Sequence, residues 1–141
     1  MKIQSIQFIT QEAFERFGMV IELKPHSKDG WEVVVKSQGD GWRIAVLEFF
    51  RRTAVRLENH PSSKESFEPL KGTTVLLVAE NSTPGNFEAF LLDRPVCLNE
   101  GVWHEVISLS DGAQVKITEN LEVDCEYYTL SGEAAVRLIS L

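Results

Sequence analysis

Cysteine is scarce in this chain, since Cys97 and Cys125 are the only two among its 141 residues. Two cysteines cannot build a disulfide framework, and their spacing lacks the CxxC pattern of redox and zinc motifs. The simplest interpretation is an intracellular protein with reduced thiols. We expect both cysteines to be buried as small hydrophobic side chains.

Long apolar runs are also missing. Residues 1–6 contain no hydrophobic region of signal-peptide length. No segment approaches the roughly 18 apolar residues that a membrane-spanning helix requires. We therefore expect a cytoplasmic protein with no membrane partner.

Positive charge is in deficit, because the chain has 14 Lys and Arg but 21 Asp and Glu, which gives a formal net charge of -7. Binding to nucleic acid relies on cationic side chains that neutralise phosphates, so we expect no nucleic-acid partner. The chain does contain 43% hydrophobic residues. This composition and the length predict one domain over residues 1–141, with a core that needs no disulfide.

Short runs of Val, Ile, Phe and Tyr, broken by Gly, Pro, Asn or Asp, dominate the chain from residue 20 onward. Interruptions at intervals of about 8 to 12 residues are typical of an all-β protein. We predict ten strands, at residues 20–23, 31–36, 42–50, 54–58, 74–79, 88–92, 96–98, 106–109, 115–118 and 125–130. So many short strands with tight turns indicate a sandwich, a jelly roll or a barrel.

Only one short helix is expected. Thr10 suits the N-cap, Ala13, Phe14 and Phe17 follow at helical spacing, and Gly18 could end the turn. The final segment, residues 132–141, fits a helical stripe and strand alternation equally. Because this segment is apolar, it must pack on the domain or on a second subunit.

A polar cluster falls where a small barrel would hold apolar side chains. If the strand 54–58 continues to His60, alternation puts Arg56, Glu58 and His60 on one face and Leu57 on the other. An acid and an imidazole that face a barrel interior are costly unless they are paired or bound to a cation. This pattern therefore marks a candidate site.

Glu65 and His104 can join the same face. Glu65 follows a turn after His60, and His104 follows a glycine turn on another strand. Imidazole and carboxylate groups together suit a divalent first-row transition metal, so His60, Glu65, His104 and Glu58 are candidate ligands. In the alternative interpretation, His104 is a hydrogen-bonded core or rim residue and Glu58 pairs with an arginine on a solvated face.

The arginines near this strand also have two interpretations. Arg51, Arg52 and Arg56 are most simply part of a solvated strand face. One of them turned inward would be a good clamp for a carboxylate. His26 is interpreted as an ordinary loop histidine.

These residues resemble the two motifs of the cupin superfamily. The spacing of the first motif is reproduced, with Glu in place of its first His, by Glu58-x-His60-x4-Glu65-x6-Gly72. The second motif is echoed by Gly101-Val102-Trp103-His104, with Ser108 at its last position. The resemblance implies a cupin-type double-stranded β-helix, that is, a jelly-roll barrel.

More narrowly, the chain resembles the ureidoglycolate lyase family, once called ureidoglycolate hydrolase. The similar residues, in order, are Glu58-Asn59-His60-Pro61, Phe67, Pro69-Leu70, Gly101-Val102-Trp103-His104 and Asp124-Cys125-Glu126. The resemblance implies cleavage of ureidoglycolate to glyoxylate and urea, a step of purine catabolism and allantoin degradation. The chain departs from the family at Asn59, where Arg is usual, and at Glu65, where Gln is usual.

The resemblance also implies roles for the candidate residues. A metal would bind to His60, Glu65 and His104, with Glu58 as a further candidate ligand. Whichever of Glu58 and Glu65 is not a ligand is the natural general base. Trp103 could wall the pocket or merely fill the core.

Substrate recognition and assembly are the last expectations. The family has an arginine within the region that corresponds to residues 31–50, and Arg43 is our candidate for binding the substrate carboxylate. The alternative function is a non-catalytic cupin that binds a small carboxylic acid or a sugar, and a third is a purely structural β-barrel. We expect a homodimer, since cupins often pair through sheet edges and the apolar segment 134–141 needs a place to pack.

Overall fold

The computed structural model describes residues 1–22, 24, 25 and 33–137. Within them, strands and one short helix follow in the order β1 (Lys2–Phe8), α1 (Gln11–Phe14), β2 (Gly18–Val20), β3 (Trp42–Phe49), β4 (Ala54–Asn59), β5 (Glu65–Lys71), β6 (Thr74–Ala79), β7 (Glu88–Leu91), β8 (Val96–Leu98), β9 (Trp103–Ser108), β10 (Ala113–Asn120) and β11 (Glu126–Arg137). The prediction of an all-β fold with one short N-terminal helix is confirmed.

The strands form two sheets. Six of them close into a barrel in the order β1-β11-β4-β9-β6-β7, and the other five form a sheet in the order β2-β8-β5-β10-β3. The barrel closes because β1 pairs in parallel with β11 through its first half and with β7 through its second half. The remaining strand pairs are antiparallel.

Strand β6 is buried along its whole length because it separates two cores. Leu76 and Val78 point into a core between the barrel and the five-stranded sheet. Val75 and Leu77 point into a second core inside the barrel. Alternation along one strand thus supplies both cores, which explains why residues 75–79 of β6 are an unbroken apolar run.

The helix anchors the N-terminal segment to the first core. The Thr10 side chain accepts a hydrogen bond of 3.0 Å from the Ala13 backbone N–H, as expected of an N-cap. The rings of Phe14 and Phe17 then meet Phe90 edge to face, at centroid distances of 5.2 and 5.8 Å. The predicted N-cap is confirmed, whereas Gly18 begins β2 instead of ending the helix.

Three strand predictions need correction. The N-terminal residues 2–8, predicted without a strand, form β1, whose partners come from distant parts of the chain. Residues 33–36 of the strand predicted at 31–36 are not extended into a sheet, and residues 31 and 32 lie outside the described residues. Strand β5 was not predicted because charged residues and Pro69 interrupt its apolar pattern. The register with β10 shifts beside Pro69, which is where a sheet tolerates proline.

The C-terminal segment is a strand as far as the structure describes it. Strand β11 runs to Arg137, so the extended alternative is the one found for residues 132–137, while residues 138–141 lie outside the described part. His26 also lies outside it. None of the helical structure in the described residues has the length or apolarity needed to cross a membrane.

The two cysteines have different environments. Cys97 is buried, as predicted, and burial raises the pKa of its thiol to about 11. Cys125 is exposed, so its predicted burial is wrong. It lies in the connection between β10 and β11, where its sulfur is 3.5 Å from His60 Nδ1.

Candidate metal centre and active site

Strands β4, β5 and β9 bring the predicted site residues together. Glu58 on β4 is the cross-strand partner of His104 on β9, and the turn after His60 returns the chain to Glu65 at the start of β5. The Gly101 N–H donates a hydrogen bond of 2.9 Å to the His60 carbonyl, which ties together the two loops that carry the histidines. Gly101 has φ of 75°, a conformation that glycine adopts without strain.

Three of the four candidate ligands, His60, Glu65 and His104, form one compact group, and Glu58 lies at its edge. The Oε2 atom of Glu65 lies 3.0 Å from His60 Nε2 and 2.9 Å from His104 Nε2. Glu58 Oε1 lies 3.2 Å from His60 Nε2 and 3.9 Å from His104 Nε2. His60, Glu65 and His104 are buried, whereas the Glu58 side chain is 36% exposed.

Backbone carbonyls orient both imidazoles. Nδ1 of His104 lies 2.9 Å from the Val102 carbonyl oxygen, and Nδ1 of His60 lies 3.1 Å from that of Asp124. An Nδ1–H that donates to a carbonyl leaves the Nε2 atom of a neutral ring with a lone pair. Both lone pairs then face the Glu65 carboxylate, which is the orientation that metal-binding histidines adopt.

This arrangement fits a bound cation. The Nε2 atoms of both histidines and Oε2 of Glu65 are buried and make no hydrogen bond of acceptable geometry with the described residues. Neutral imidazole and carboxylate are all acceptors at these atoms, so something positive must lie between them. Two ligands bound at right angles through bonds of about 2.1 Å are about 3.0 Å apart, which matches the observed separations. The donor set suits a divalent first-row metal.

Without a metal, protons supply the positive charge. Burial lowers the pKa of His60, but the Glu58 and Glu65 carboxylates outweigh burial and raise it to about 11. The pKa of His104 is also raised, because Glu65 overcomes the effect of burial. Burial raises the pKa of Glu65, yet the two histidines bring it down to about 2, and contact with His60 lowers the pKa of Glu58.

A cavity of about 260 Å³ opens beside this cluster. Its wall is part charged and part apolar, and it consists of Leu47, Arg51, Arg56, Glu58, Glu65, Phe67, His104, Glu105, Val106 and Ile117. Arg51 pairs with Glu105 at 2.8 Å, and Arg56 stacks 4.3 Å from the ring centroid of Tyr127. The sequence allowed one arginine to turn toward the site, and the structure places two, Arg51 and Arg56, in the cavity wall.

Trp103 and Arg43 do not line this cavity. Trp103 points into the core of the barrel, and its indole N–H donates a hydrogen bond of 3.0 Å to the Asn81 carbonyl. The structure thus places Trp103 where the core-filling alternative put it. Arg43 lies at the exposed edge strand β3 and pairs with Glu119 at 2.7 Å. Strand alternation accounts for the position of Trp103, because it puts Trp103 and His104 on opposite faces of β9.

The two residues that depart from the family pattern, Glu65 and Asn59, lie in different places. Glu65 is at the heart of the cluster. Asn59 is fully buried, is absent from the cavity wall, and has no hydrogen-bond partner for its side-chain amide in the described chain. The first departure therefore changes the charge of the candidate metal centre, whereas the second lies away from the cavity.

Two residues of the site were missed in the sequence. Glu119 Oε2 lies 3.8 Å from His60 Nε2, and Cys125 contacts the opposite side of that ring. The signal for Glu119 was present, since it continues the inward alternation of Val115 and Ile117 along β10. The predicted strand stopped one residue short of it. No pattern in the sequence indicates that Cys125 approaches His60.

A closed barrel and a second sheet that enclose a His/Glu cluster give this protein a cupin-type jelly-roll fold. In agreement, the dTDP sugar isomerase from Desulfovibrio desulfuricans G20 superimposes with a TM-score of 0.55 at 15% identity, over 78% of this chain and 73% of that chain. No protein-family model matches the sequence.

Curated relatives identify the family. Ureidoglycolate lyase 1 of Rhizobium meliloti (strain 1021) is 31% identical over 143 residues, which cover 86% of this chain and 82% of that protein. Ureidoglycolate lyase of Agrobacterium fabrum (strain C58 / ATCC 33970) is 31% identical over 121 residues, covering 70% and 72%. The chain belongs to the ureidoglycolate lyase family, and these relatives support a lyase-like enzymatic function.

Proposed function

We propose that this protein cleaves ureidoglycolate to glyoxylate and urea, with a divalent first-row metal held by His60, Glu65 and His104. The observation that carries the proposal is the convergence of two buried imidazole nitrogens on one carboxylate oxygen, at 3.0 and 2.9 Å. This cluster opens into a small charged cavity in a member of the ureidoglycolate lyase family. Its volume of about 260 Å³ favours a substrate smaller than drug-sized ligands, whose pockets exceed about 300 Å³.

Arg56 is the best group for the substrate carboxylate. Among the described residues it makes no ion pair, whereas Arg51, the other arginine of the cavity, is neutralised by Glu105. A guanidinium can bind a carboxylate through two parallel hydrogen bonds. The ring of Tyr127 supports the Arg56 side chain and limits its conformations.

Glu58 is suited to the proton transfers. It lines the cavity and is partly exposed, whereas Glu65 is enclosed by the two histidines. In the proposed reaction, Glu58 takes the proton of the carbinol hydroxyl as the C–O bond becomes a carbonyl and the C–N bond breaks. The electron pair of that bond leaves on the urea nitrogen, which takes up the proton from Glu58. One proton thus moves from oxygen to nitrogen.

The metal, when bound, would supply positive charge that lowers the pKa of the hydroxyl and stabilises the developing charge. His60, Glu65 and His104 would hold it, and the carbonyls of Asp124 and Val102 keep the two rings in the required orientation. The Phe67 ring packs edge-on against His104 at a centroid distance of 5.6 Å and closes the apolar side of the centre.

The test combines metal analysis with a turnover assay. Purified protein is analysed for bound metal and incubated with ureidoglycolate, and glyoxylate release is measured. We expect His60→Ala and His104→Ala to lose metal and turnover while they remain folded. Glu68→Gln, a carboxylate that pairs with Lys116 away from the cavity, is the matched control.

Two outcomes contradict the proposal in different ways. Metal retained by the double histidine variant would refute the ligand assignment. A rise in melting temperature with ureidoglycolate, but without glyoxylate release by the metal-loaded protein, would identify a non-catalytic binding protein instead.

A further inference from the structure

Glu119 brings an unexplained carboxylate to the edge of the candidate metal centre. It lies near the end of β10, and its side chain is only 7% exposed. Its Oε2 atom is buried and has no hydrogen-bond partner in the described part of the chain. This atom lies 3.8 Å from Nε2 of His60.

Arg43 fixes the orientation of this carboxylate. Its Nη2 and Nε atoms donate hydrogen bonds of 2.7 and 3.0 Å, both to Oε1 of Glu119. The two residues are also cross-strand partners in the β10–β3 pair. Because both donors use Oε1, the other oxygen is left free and directed toward His60.

An isolated ion pair does not account for this geometry. A buried acceptor without a partner costs about 1–3 kcal/mol, and more when it is charged. A separation of 3.8 Å is too long for a hydrogen bond to His60. His60, Glu65 and His104 form the compact group of possible ligands among the described residues, so the free oxygen of Glu119 lies just outside that group, where it can add negative charge beside a bound cation.

We propose that Glu119 is a further carboxylate of the metal centre and that Arg43 is the positioning residue that holds it there. This inference rests on the metal site of the proposed function and adds a supporting carboxylate from a strand that carries none of the residues in the two cupin-like motifs. It also gives Arg43 a role other than binding the substrate. Its charge offsets part of the negative charge that Glu58, Glu65 and Glu119 bring to one cation.

The experiment is a titration of metal-free protein with Co²⁺, whose visible absorption reports the ligand set. Affinity is measured by competition with a chelator. We expect Glu119→Gln to bind Co²⁺ about 10 to 100-fold more weakly than the unmodified protein, the loss typical of residues that support a metal site. We also expect its visible spectrum to change. Arg43→Gln should weaken binding in the same direction.

Glu48→Gln is the matched control, since Glu48 lies on the same strand pair and hydrogen-bonds Gln114 on the outer side of the sheet. It should bind Co²⁺ like the unmodified protein. Glu119→Asp keeps the charge but shortens the reach, so it should also bind more weakly. It serves as the second variant if Glu119→Gln does not fold, as judged by urea unfolding.

Two results would overturn the inference. Co²⁺ affinity within twofold of the unmodified protein, with an unchanged spectrum, would leave Glu119 as an ion-pair partner of Arg43 only. Failure of the unmodified protein to bind Co²⁺ would remove the proposed metal centre and this inference with it. The first result leaves the proposed function standing, so the two failures are distinguishable.

Discussion

Without the proposed metal, the stability of this protein should depend on pH in a specific direction. In the metal-free state, the Glu58 and Glu65 carboxylates hold the pKa of His60 at about 11, against an ordinary value of 6.5. A folded-state pKa above the unfolded value stabilises the protein fully below about pH 6.5. That stabilisation is lost as the pH rises toward 11.

The size of this loss of unfolding free energy follows from the range of pH between the two pKa values of His60. Each pH unit between the two pKa values of His60 removes about 1.4 kcal/mol, so the change from pH 6.5 to pH 9 amounts to at most about 3 kcal/mol. The low pKa of Glu65 arises from the same contacts, so its contribution to the free energy is not added to that of His60. A loss of this size is a large fraction of the roughly 5–15 kcal/mol by which most domains are stable.

The assay is urea unfolding at pH 6.5, 7.5 and 9, with EDTA and with saturating metal. The unfolding free energy should fall with pH in EDTA, and that fall should be absent in the loaded protein, where the cation replaces the proton. A Cys125→Ser background removes the neighbouring thiol, whose sulfur lies 3.5 Å from His60 Nδ1. His60→Gln should reduce the decline, and the raised pKa of His104 accounts for what remains. A free energy that stays level or rises from pH 6.5 to 9 in EDTA would refute the reasoning.

Two further predictions concern the scaffold. Gly101→Ala places a Cβ 3.1 Å from Asn81 Nδ2 at a φ of 75°, so it should lower the unfolding free energy by about 1–2 kcal/mol and weaken Co²⁺ binding through the displaced loop. Gly85→Ala, where the nearest atom is 3.5 Å away, should do neither in the same urea and Co²⁺ titrations. Phe90→Ala should cost about 3–5 kcal/mol in urea unfolding, since Phe90 is fully buried between two rings, while the Co²⁺ affinity of the folded fraction stays unchanged.

The central site was predictable because it depends on local rules. Strand alternation placed Glu58 and His60 on one face, a short turn returned Glu65 to it, and a glycine turn marked the approach of His104. The relations among Glu58, His60 and Glu65 span a few residues along one strand or turn, and they hold whichever distant strands pack around them. His104 joins this group through the pairing of β9 with β4.

The rest of the site depends on which strands become neighbours, and that information is not local. Arg56 faces the cavity because β3 and β5 lie across from it, and Glu119 reaches His60 because β10 pairs with β5. Strand β1 forms only because β11 and β7 accept it on either side. Alternation shows which side chains share a face, but not what that face meets.

The burial of β6 on both faces has a consequence for how the molecule opens. This strand supplies side chains to both cores, so neither core can unfold without exposing it. Local unfolding of neighbouring strands should therefore not extend into β6. His104 sits on β9 directly beside Val78 of β6. A candidate metal ligand is thus anchored to a strand whose backbone amides should exchange slowly with solvent, which would keep the centre assembled if the exposed edge at β3 opens.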